Sequence, residues 1–189
     1  MEEFRFTTKT DFGVFRDYWM FTLFKKRGPK GEKSGFFKYL IILCALVAAM
    51  AVFAVLNATV MENMAGVIPL ILLLGVAAAL VSAVVTATRS QPKRQYRVVK
   101  ESIETPQKYT FTDAQMEVRE YIPEEERESL AEFPYDKFVN AYETGKAFYL
   151  FIGEVEAFLI PKDQLTDIDE PEFAAFLAKK LGDRYYRQG

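Results

Sequence analysis

The chain contains few residues that could do acid–base or nucleophilic chemistry. None of its 189 residues is His, which excludes His-dependent triads, His-containing zinc sites and His proton relays. The single Cys, Cys44, cannot form an intramolecular disulfide. One thiolate without His partners also makes neither a metal site nor a Cys–His nucleophile. Any chemistry would therefore depend on carboxylates.

Two groups of glutamates could be considered for such a role. Glu154 and Glu156 lie two residues apart and could share a strand face, as paired carboxylates do in acid–base sites. They flank a candidate hairpin turn, however, and nothing nearby would bury either one, so we expect both to be solvated. The run Glu124–Glu126 is likewise typical of a solvent-facing loop.

A third acidic group lies at the start of the last predicted helix and consists of Asp163, Asp167, Asp169 and Glu170. Acidic side chains there cap the helix and interact with its positive end. The spacing and glycine of a calcium loop are missing, which disfavours a divalent-ion site. We therefore predict no catalytic, cofactor-binding or metal-binding residue, no cofactor, and a protein that is not an enzyme.

Charge is divided unequally along the chain. Residues 1–100 hold 14 basic and 6 acidic side chains, whereas residues 101–189 hold 10 basic and 20 acidic ones. The acidic carboxy-terminal half disfavours nucleic-acid binding. The near-neutral total thus combines two segments that we expect in different electrical settings.

Two long apolar runs predict transmembrane helices at residues 36–56 and 65–88. Each run spans roughly 30 Å as a helix, which matches the hydrocarbon core of a bilayer. Helices of soluble cores average only about 11 to 12 residues, so two buried globular helices are disfavoured. No charged residue lies in the middle of either span, which also disfavours a transporter or proton pump.

The short extracytoplasmic loop predicted at residues 57–64 makes the two spans an antiparallel hairpin. Basic residues flank the two spans, with Lys38 at the edge of the first one, and none lies in this loop: Lys25, Lys26, Arg27, Lys30, Lys33, Lys38, Arg89, Lys93, Arg94, Arg97 and Lys100. This distribution predicts a multi-pass protein of the cell membrane with both termini in the cytoplasm. The basic clusters could also bind anionic lipid, although a role in topology alone is favoured.

Small residues recur every four positions in the second run, at Gly75, Ala79, Ala83 and Ala87. Such a ridge lets another helix approach closely. Packing within the hairpin is the favoured use, and a homodimer through this ridge is the alternative.

The amino-terminal segment, residues 1–35, combines a short strand with an aromatic helix. Residues 4–8 alternate as in a strand, and Thr10 and Asp11 can cap a helix that runs to about Lys26. The aromatic side chains of this helix suit the membrane interface. Their spacing equally suits docking on the cytoplasmic domain, and the sequence leaves both alternatives open.

The carboxy-terminal domain, residues 95–189, shows short alternating segments separated by turns. We predict strands at 96–104, 108–112, 115–121, 128–133, 138–143, 147–152 and 155–160, with a two-residue turn at Gly153-Glu154. A helix from about Pro171 to Leu181 follows. The expected fold is therefore an α+β membrane protein: a two-helix transmembrane hairpin plus an antiparallel sheet or barrel closed by a carboxy-terminal helix.

The hairpin segment AFYLFIGEVEAFLIPKDQL, followed by a helix containing FAAFLAKKL, resembles the YcxB-like family of bacterial membrane proteins. The step Ile160-Pro161-Lys162 with Leu165 after it, and the opening TTKTDFGVFRDYW, are also similar to that family. The resemblance implies a pleckstrin-homology-like carboxy-terminal domain beneath a membrane, and it implies no catalytic residues.

These patterns together favour a membrane-anchored cytoplasmic module that binds or regulates another protein, whose identity the sequence does not give. The alternatives are a sensor of lipid or of the membrane surface, and a non-catalytic subunit of a membrane complex.

Overall fold

The computed structural model describes residues 3–26, 35–60, 67–122 and 127–188. The chain is an α+β protein that divides into two compact units. One unit combines Met1–Tyr18 with Tyr96–Gly189, and the other is Trp19–Gln95. Each unit is described by itself below.

The unit Trp19–Gln95 contains the two apolar helices, α2 (Gly35–Val60) and α3 (Val67–Val85), which pack against each other. Short π-helical turns lie at Phe21–Lys25 and Thr86–Ser90. Most of the apolar side chains of α2 and α3 are exposed, as Tyr39 (75%) and Ile68 (65%) illustrate. Both helices are long and apolar enough to cross a membrane.

Residues 96–104 form the end of helix α4 (Gln91–Glu104), so their prediction as a strand is wrong. Among the side chains described in this segment, Tyr96 is buried and Val99, Ile103 and Glu104 are half-buried, a spacing that follows a helical face. In an alternating strand Val98 would lie on the same face as the buried Tyr96, but its side chain is 79% exposed. The Tyr96 hydroxyl also donates a hydrogen bond to the Glu104 carboxylate two turns further along the helix.

The other unit contains two four-stranded sheets. The first has the order β1-β2-β3-β4 and is antiparallel throughout, with β1 (Phe4–Thr8), β2 (Gln107–Phe111), β3 (Gln115–Ile122) and β4 (Arg127–Pro134). The second has the order β7-β6-β5-β8, with β5 (Asn140–Glu143), β6 (Ala147–Phe151), β7 (Ala157–Pro161) and β8 (Tyr185–Arg187). Neither sheet is closed among the described strands, so the expected barrel is not observed.

Two details of this unit differ from the sequence-based expectation. Strand β8 was not anticipated, and it pairs with β5 in parallel, which makes the second sheet mixed. The loop between β6 and β7 spans residues 152–156 instead of a two-residue turn, because Ile152 and Gly153 both donate backbone hydrogen bonds to the Glu156 carbonyl oxygen. The strand predicted at residues 4–8 is confirmed, and its partner is β2.

Helix α5 (Glu170–Leu181) provides the centre of the core. Phe173 is fully buried, and its ring lies 5.3 Å from Phe4 of β1, 5.0 Å from Phe111 of β2 and 5.3 Å from Phe148 of β6. The predicted ends of α5 are confirmed, with Pro171 in the first turn and Gly182 at a φ of 55° after the last one.

Helix α1 (Phe12–Met20) packs on the outer face of the second sheet. Asp11 caps it as predicted, with its Oδ1 accepting a hydrogen bond from Val14 N at 2.8 Å. The Tyr18 ring lies 5.5 Å from Tyr149 and 5.9 Å from Phe151, and the Tyr18 hydroxyl donates to the Val155 carbonyl oxygen. These contacts support the docking alternative for the part of this helix up to Tyr18.

We expect Phe4→Ala to destabilise the unit Met1–Tyr18 with Tyr96–Gly189, here called the sheet domain, by about 3–5 kcal/mol, because loss of the buried ring leaves a cavity against Phe173 and Phe176. Hydrogen exchange of the β2 amides in the full chain, in detergent micelles, measures this loss. The matched change Thr7→Val lies on the exposed face of the same strand and should alter the stability by less than about 0.5 kcal/mol. Unchanged protection of β2 in Phe4→Ala would contradict the placement of β1.

Candidate interaction surface

Strand β1 lies at one edge of the first sheet, and a cavity of about 750 Å³ lies against the outer face of β1, β2 and β3, where Arg5, Thr110 and Glu117 stand side by side in its lining. A smaller cavity of about 440 Å³ shares Glu3, Arg5 and Asp167 with it. We call the two together the edge groove. Its lining residues are Glu3, Phe4, Arg5, Phe6, Thr7, Lys108, Tyr109, Thr110, Thr112, Glu117, Arg119, Gln164, Thr166, Asp167, Ile168, Asp169 and Glu172.

The edge groove follows the strand lengthwise. All five consecutive residues from Glu3 to Thr7 line it, although successive strand residues point to opposite faces. Its other wall is the segment from Gln164 to the first turn of α5. The Gln164 side chain closes one end, since its Oε1 accepts from Lys9 N at 2.7 Å and its Nε2 donates to Lys9 O at 3.0 Å.

On the sheet side, like charges face each other across neighbouring strands. Lys108 is directly opposite Arg119, and Glu117 is directly opposite Glu132. Such pairs are destabilising by themselves. They are balanced by ion pairs, at 3.6 Å between Lys108 and Glu128 and at 3.7 Å between Arg119 and Glu117. These exposed pairs contribute little stability, so they can exchange for charges on a partner.

The wall formed by residues 164–172 is acidic. Asp167, Asp169 and Glu172 are exposed there, and Arg5 is the basic residue that lines the smaller cavity with them. Arg5 is already paired with Glu3, at 2.7 Å between Nη2 and Oε1. The edge groove therefore has a mixed-charge sheet face and an acidic wall.

A half-buried ion network fixes the segment that carries this wall. Lys162 Nζ lies 3.1 Å from Glu143 Oε1 and 2.6 Å from Glu170 Oε1, with only 11% of the Lys162 side chain exposed. Glu143 Oε2 also accepts from the Tyr185 hydroxyl at 2.7 Å and from Arg187 Nε at 2.8 Å. The network thus joins β5, the end of β7, the start of α5 and β8.

Burial in this network opposes the charged form of each group, but the partners outweigh it. For Glu143, hydrogen bonds from Tyr185 and Lys162 overcome the desolvation and hold the pKa below its ordinary value of 4.5. For Lys162, the two glutamates overcome the desolvation and raise the pKa above its ordinary value of 10.5. Burial, followed by the hydrogen bond to Glu143, also raises the pKa of Tyr185. All three are therefore in their paired ionisation states at neutral pH.

The acidic residues considered in the sequence analysis do not come together as one site, although Asp167 and Asp169 share the acidic wall. Glu154 and Glu156 are exposed in the loop after β6 and share no strand face. Asp169 occupies the N-cap position of α5 without a side-chain capping bond, and Glu170 pairs with Lys162. Glu124–Glu126 lie outside the described residues. Within the described ranges, no group of three His, Cys, Asp or Glu side chains is placed to hold a metal ion.

The small-residue ridge does not face the partner helix within the hairpin. Gly75, Ala79 and Ala83 are exposed on α3, and Ala87 lies in the following π-helical turn. Gly75, Ala79 and Ala83 therefore do not pack against α2 in the described part of the hairpin. Self-association of two chains through the ridge stays a prediction. Cys44 is exposed on α2.

Reasoning from the sequence did not find the edge groove or the Lys162 network. Both assemble residues that are far apart in the chain, such as Lys9 with Gln164 and Glu143 with Arg187. The sequence singled out Asp167, Asp169 and Glu170 only as residues that favour the start of a helix, and the step Ile160-Pro161-Lys162 carried the family resemblance without indicating an ion pair.

We expect acid to lower the free energy of unfolding of the sheet domain by protonating Glu143. Because its folded pKa is lowered, its contribution is present above pH 4.5 and is lost as the pH falls through the folded value. The raised pKa of Lys162 acts at the other end, and its contribution is lost only above pH 10.5. Glu143→Gln should lower the free energy of unfolding by about 1–3 kcal/mol at neutral pH and flatten the acid dependence.

Chemical denaturation of the full chain in micelles between about pH 3 and pH 7 measures both effects. The exposed loop residue in Glu156→Gln provides the control, which should follow the parent chain. An acid dependence as steep in Glu143→Gln as in the parent would show that the network does not control it.

Comparison with known proteins gave one result. Residues 119–177 match the family model described as YcxB-like protein. No curated protein and no solved structure matches the chain. The matched residues run from β3 to α5 and include Glu143, Lys162, Glu170 and the acidic wall of the edge groove. The similarity to the YcxB-like family is therefore confined to residues 119–177, which lie in the part of the chain that carries the two sheets and α5.

Proposed function

We propose that the protein is a membrane-anchored cytoplasmic module whose folded domain binds a protein partner at the edge groove. Helices α2 and α3 span the cell membrane as a hairpin, with both termini in the cytoplasm. The protein is not an enzyme in this proposal, and its role is to hold or regulate the partner at the membrane. The edge groove is the observation that carries the proposal.

The membrane location is supported by the two apolar helices. Both are long enough to cross a bilayer, and their apolar side chains are largely exposed, including Leu74 at 62%. A helix in a soluble core buries such side chains. Lipid is the environment in which their exposure is favourable.

The orientation is supported by the charges that flank the spans. Lys25, Lys26, Arg89, Lys93 and Arg94 are among the basic residues on the side of the termini, and residues 57–64 contain only Glu62 as a charge. Basic flanks remain in the cytoplasm.

The pleckstrin-homology-like part of the proposal is supported by the strand order. Seven strands, β1 to β7, follow one another in two antiparallel meanders, and α5 comes after them and packs between the sheets. Strand β8 is an addition to this arrangement.

A protein partner is supported over a lipid surface by charge. Residues 101–189 hold 20 acidic and 10 basic side chains, and the wall of the edge groove is acidic. Anionic lipid headgroups repel such a surface. A protein segment can instead meet both the acidic wall and the mixed-charge sheet face.

A sensor of the membrane surface is the second candidate, and the basic flanks favour it. Lys93, Arg94, Arg97 and Lys100 are exposed on α4. Each basic residue near an anionic surface contributes about 1 kcal/mol. In this alternative the edge groove has no partner.

Topology is tested with reporters fused after Gly189 and inserted in the loop 57–64. We expect a green fluorescent protein at Gly189 to fluoresce and an alkaline phosphatase there to be inactive, with the opposite result in the loop. Active phosphatase at Gly189 would overturn the orientation.

Partner binding is tested by photo-crosslinking of the full chain in its native membrane. A photoreactive residue at Thr110 or Thr166 lies in the edge groove, whereas one at Ala175 is exposed on α5 outside it. We expect a discrete protein adduct from the two groove positions and none from Ala175. Adducts of equal yield at all three positions, or none at all, would contradict the proposal.

A further inference from the structure

We infer that the edge groove takes an extended, basic segment of the partner protein as an additional strand on β1. This inference rests on the proposed function and adds the binding mode and the chemistry of the partner. Four features carry it: the open edge, the absence of edge protection, the course of the groove and the charge of its wall.

The outer edge of β1 is open. The strand pairs with β2 on one side, and no described strand pairs with it on the other. In an antiparallel pair every second residue directs its N–H and C=O away from the partner. β1 therefore presents backbone donors and acceptors to the edge groove, and an incoming strand would satisfy them.

The other described sheet edges carry protection that β1 lacks. Exposed edges are usually blunted by charges, by proline or by shortness. β4 carries Glu128, Glu132 and Pro134, β7 ends in Pro161, and β8 has three residues. β1 has the sequence FRFTT, with one charge and no proline. Among the described strands it is the edge best suited to accept another strand.

The groove has the course that an added strand needs. It follows the five residues Glu3–Thr7, which corresponds to about 17 Å of strand. Gln164 marks one end, because its amide side chain already pairs with the N–H and C=O of Lys9 as a strand backbone would. The backbone of Lys9 is thus already hydrogen-bonded by Gln164, whereas Glu3–Thr7 next to it face the groove.

The wall specifies the charge of the segment. Asp167, Asp169 and Glu172 are exposed along it, and no ion pair involves them among the described residues. Alternate side chains of an added strand point to the same side. Lys or Arg at every second position would therefore meet this acidic wall, while a segment with acidic residues there would be repelled.

A direct test measures binding of labelled nonapeptides to the full chain in micelles by fluorescence anisotropy. The probe alternates Thr with Lys, and a matched probe carries Glu at each Lys position. Two further probes are N-methylated at odd or at even positions, which removes the backbone donors of one edge. We expect the Lys probe to bind at least tenfold more tightly than the Glu probe, and one of the two methylated probes to lose at least tenfold in affinity while the other retains it.

The charge of the wall is tested with Asp167→Lys combined with Asp169→Asn, which should weaken the Lys probe at least tenfold. The control combines Asp136→Lys with Asp183→Asn, two exposed residues outside the groove, and should retain the affinity within about twofold. Equal binding of both methylated probes would overturn strand addition. Equal loss in both double variants would overturn the acidic wall as the determinant.

The experiments distinguish a failure of strand addition from a failure of partner binding at the edge groove. Protein adducts from Thr110 and Thr166 without any register-dependent loss among the peptides would reject strand addition alone. The absence of groove adducts in the membrane would reject the partner-binding proposal itself.

Discussion

The burial of Phe173 is the contact on which the sheet domain depends. Its ring meets rings from β1, β2 and β6, so one side chain of α5 joins both open sheets. Neither sheet closes among the described strands, and without α5 each sheet would leave an apolar face in water. Because burying a Phe side chain contributes about 1.5–3 kcal/mol, α5 is the element that makes two sheets into one core.

Two lysine side chains fix the ends of α5 through ion pairs. Lys162 fixes the first turn by pairing with Glu170 while it also binds Glu143. Lys180 fixes the last turn by contacting Asp113 Oδ1 at 2.9 Å, and it lies over the rings of Tyr135 and Phe176. Partly buried ion pairs of this kind add little net stability, since desolvation offsets much of their attraction. Their main effect is to fix where the two ends of α5 lie. Position matters here because the segment before α5 is one wall of the edge groove.

Local patterns along the chain predicted most of the elements, but not their partners. The strand at residues 4–8, the strands from β2 to β7 and the ends of α5 follow from alternation, turn residues and capping. Residues 96–104 were predicted wrongly because Tyr96 and Val98 alternate as in a strand, whereas the helical spacing of Tyr96, Val99 and Ile103 extends over the whole segment. The pairing of β1 with β2 spans about 100 residues and the whole apolar hairpin, and no local signal specifies such a long-range contact. The edge groove and the Lys162 network depend on that pairing and on packing, so residue types alone could not indicate them.

In the proposed function, anchoring in the membrane makes an open edge useful rather than harmful. An unprotected edge strand on a freely diffusing protein invites aggregation, whereas a tethered domain meets mainly the proteins that share its membrane. Strand addition supplies only a few backbone hydrogen bonds, each with a net contribution of about 0.5–1.5 kcal/mol. Confinement beside a partner raises the effective concentration to about the millimolar range, at which such modest contacts are sufficient. The acidic wall then limits the edge to basic segments, because charge complementarity excludes wrong partners more effectively than it adds affinity. The two parts of the chain thus complement each other in the proposed function: the apolar helices concentrate the partner, and the edge groove selects it.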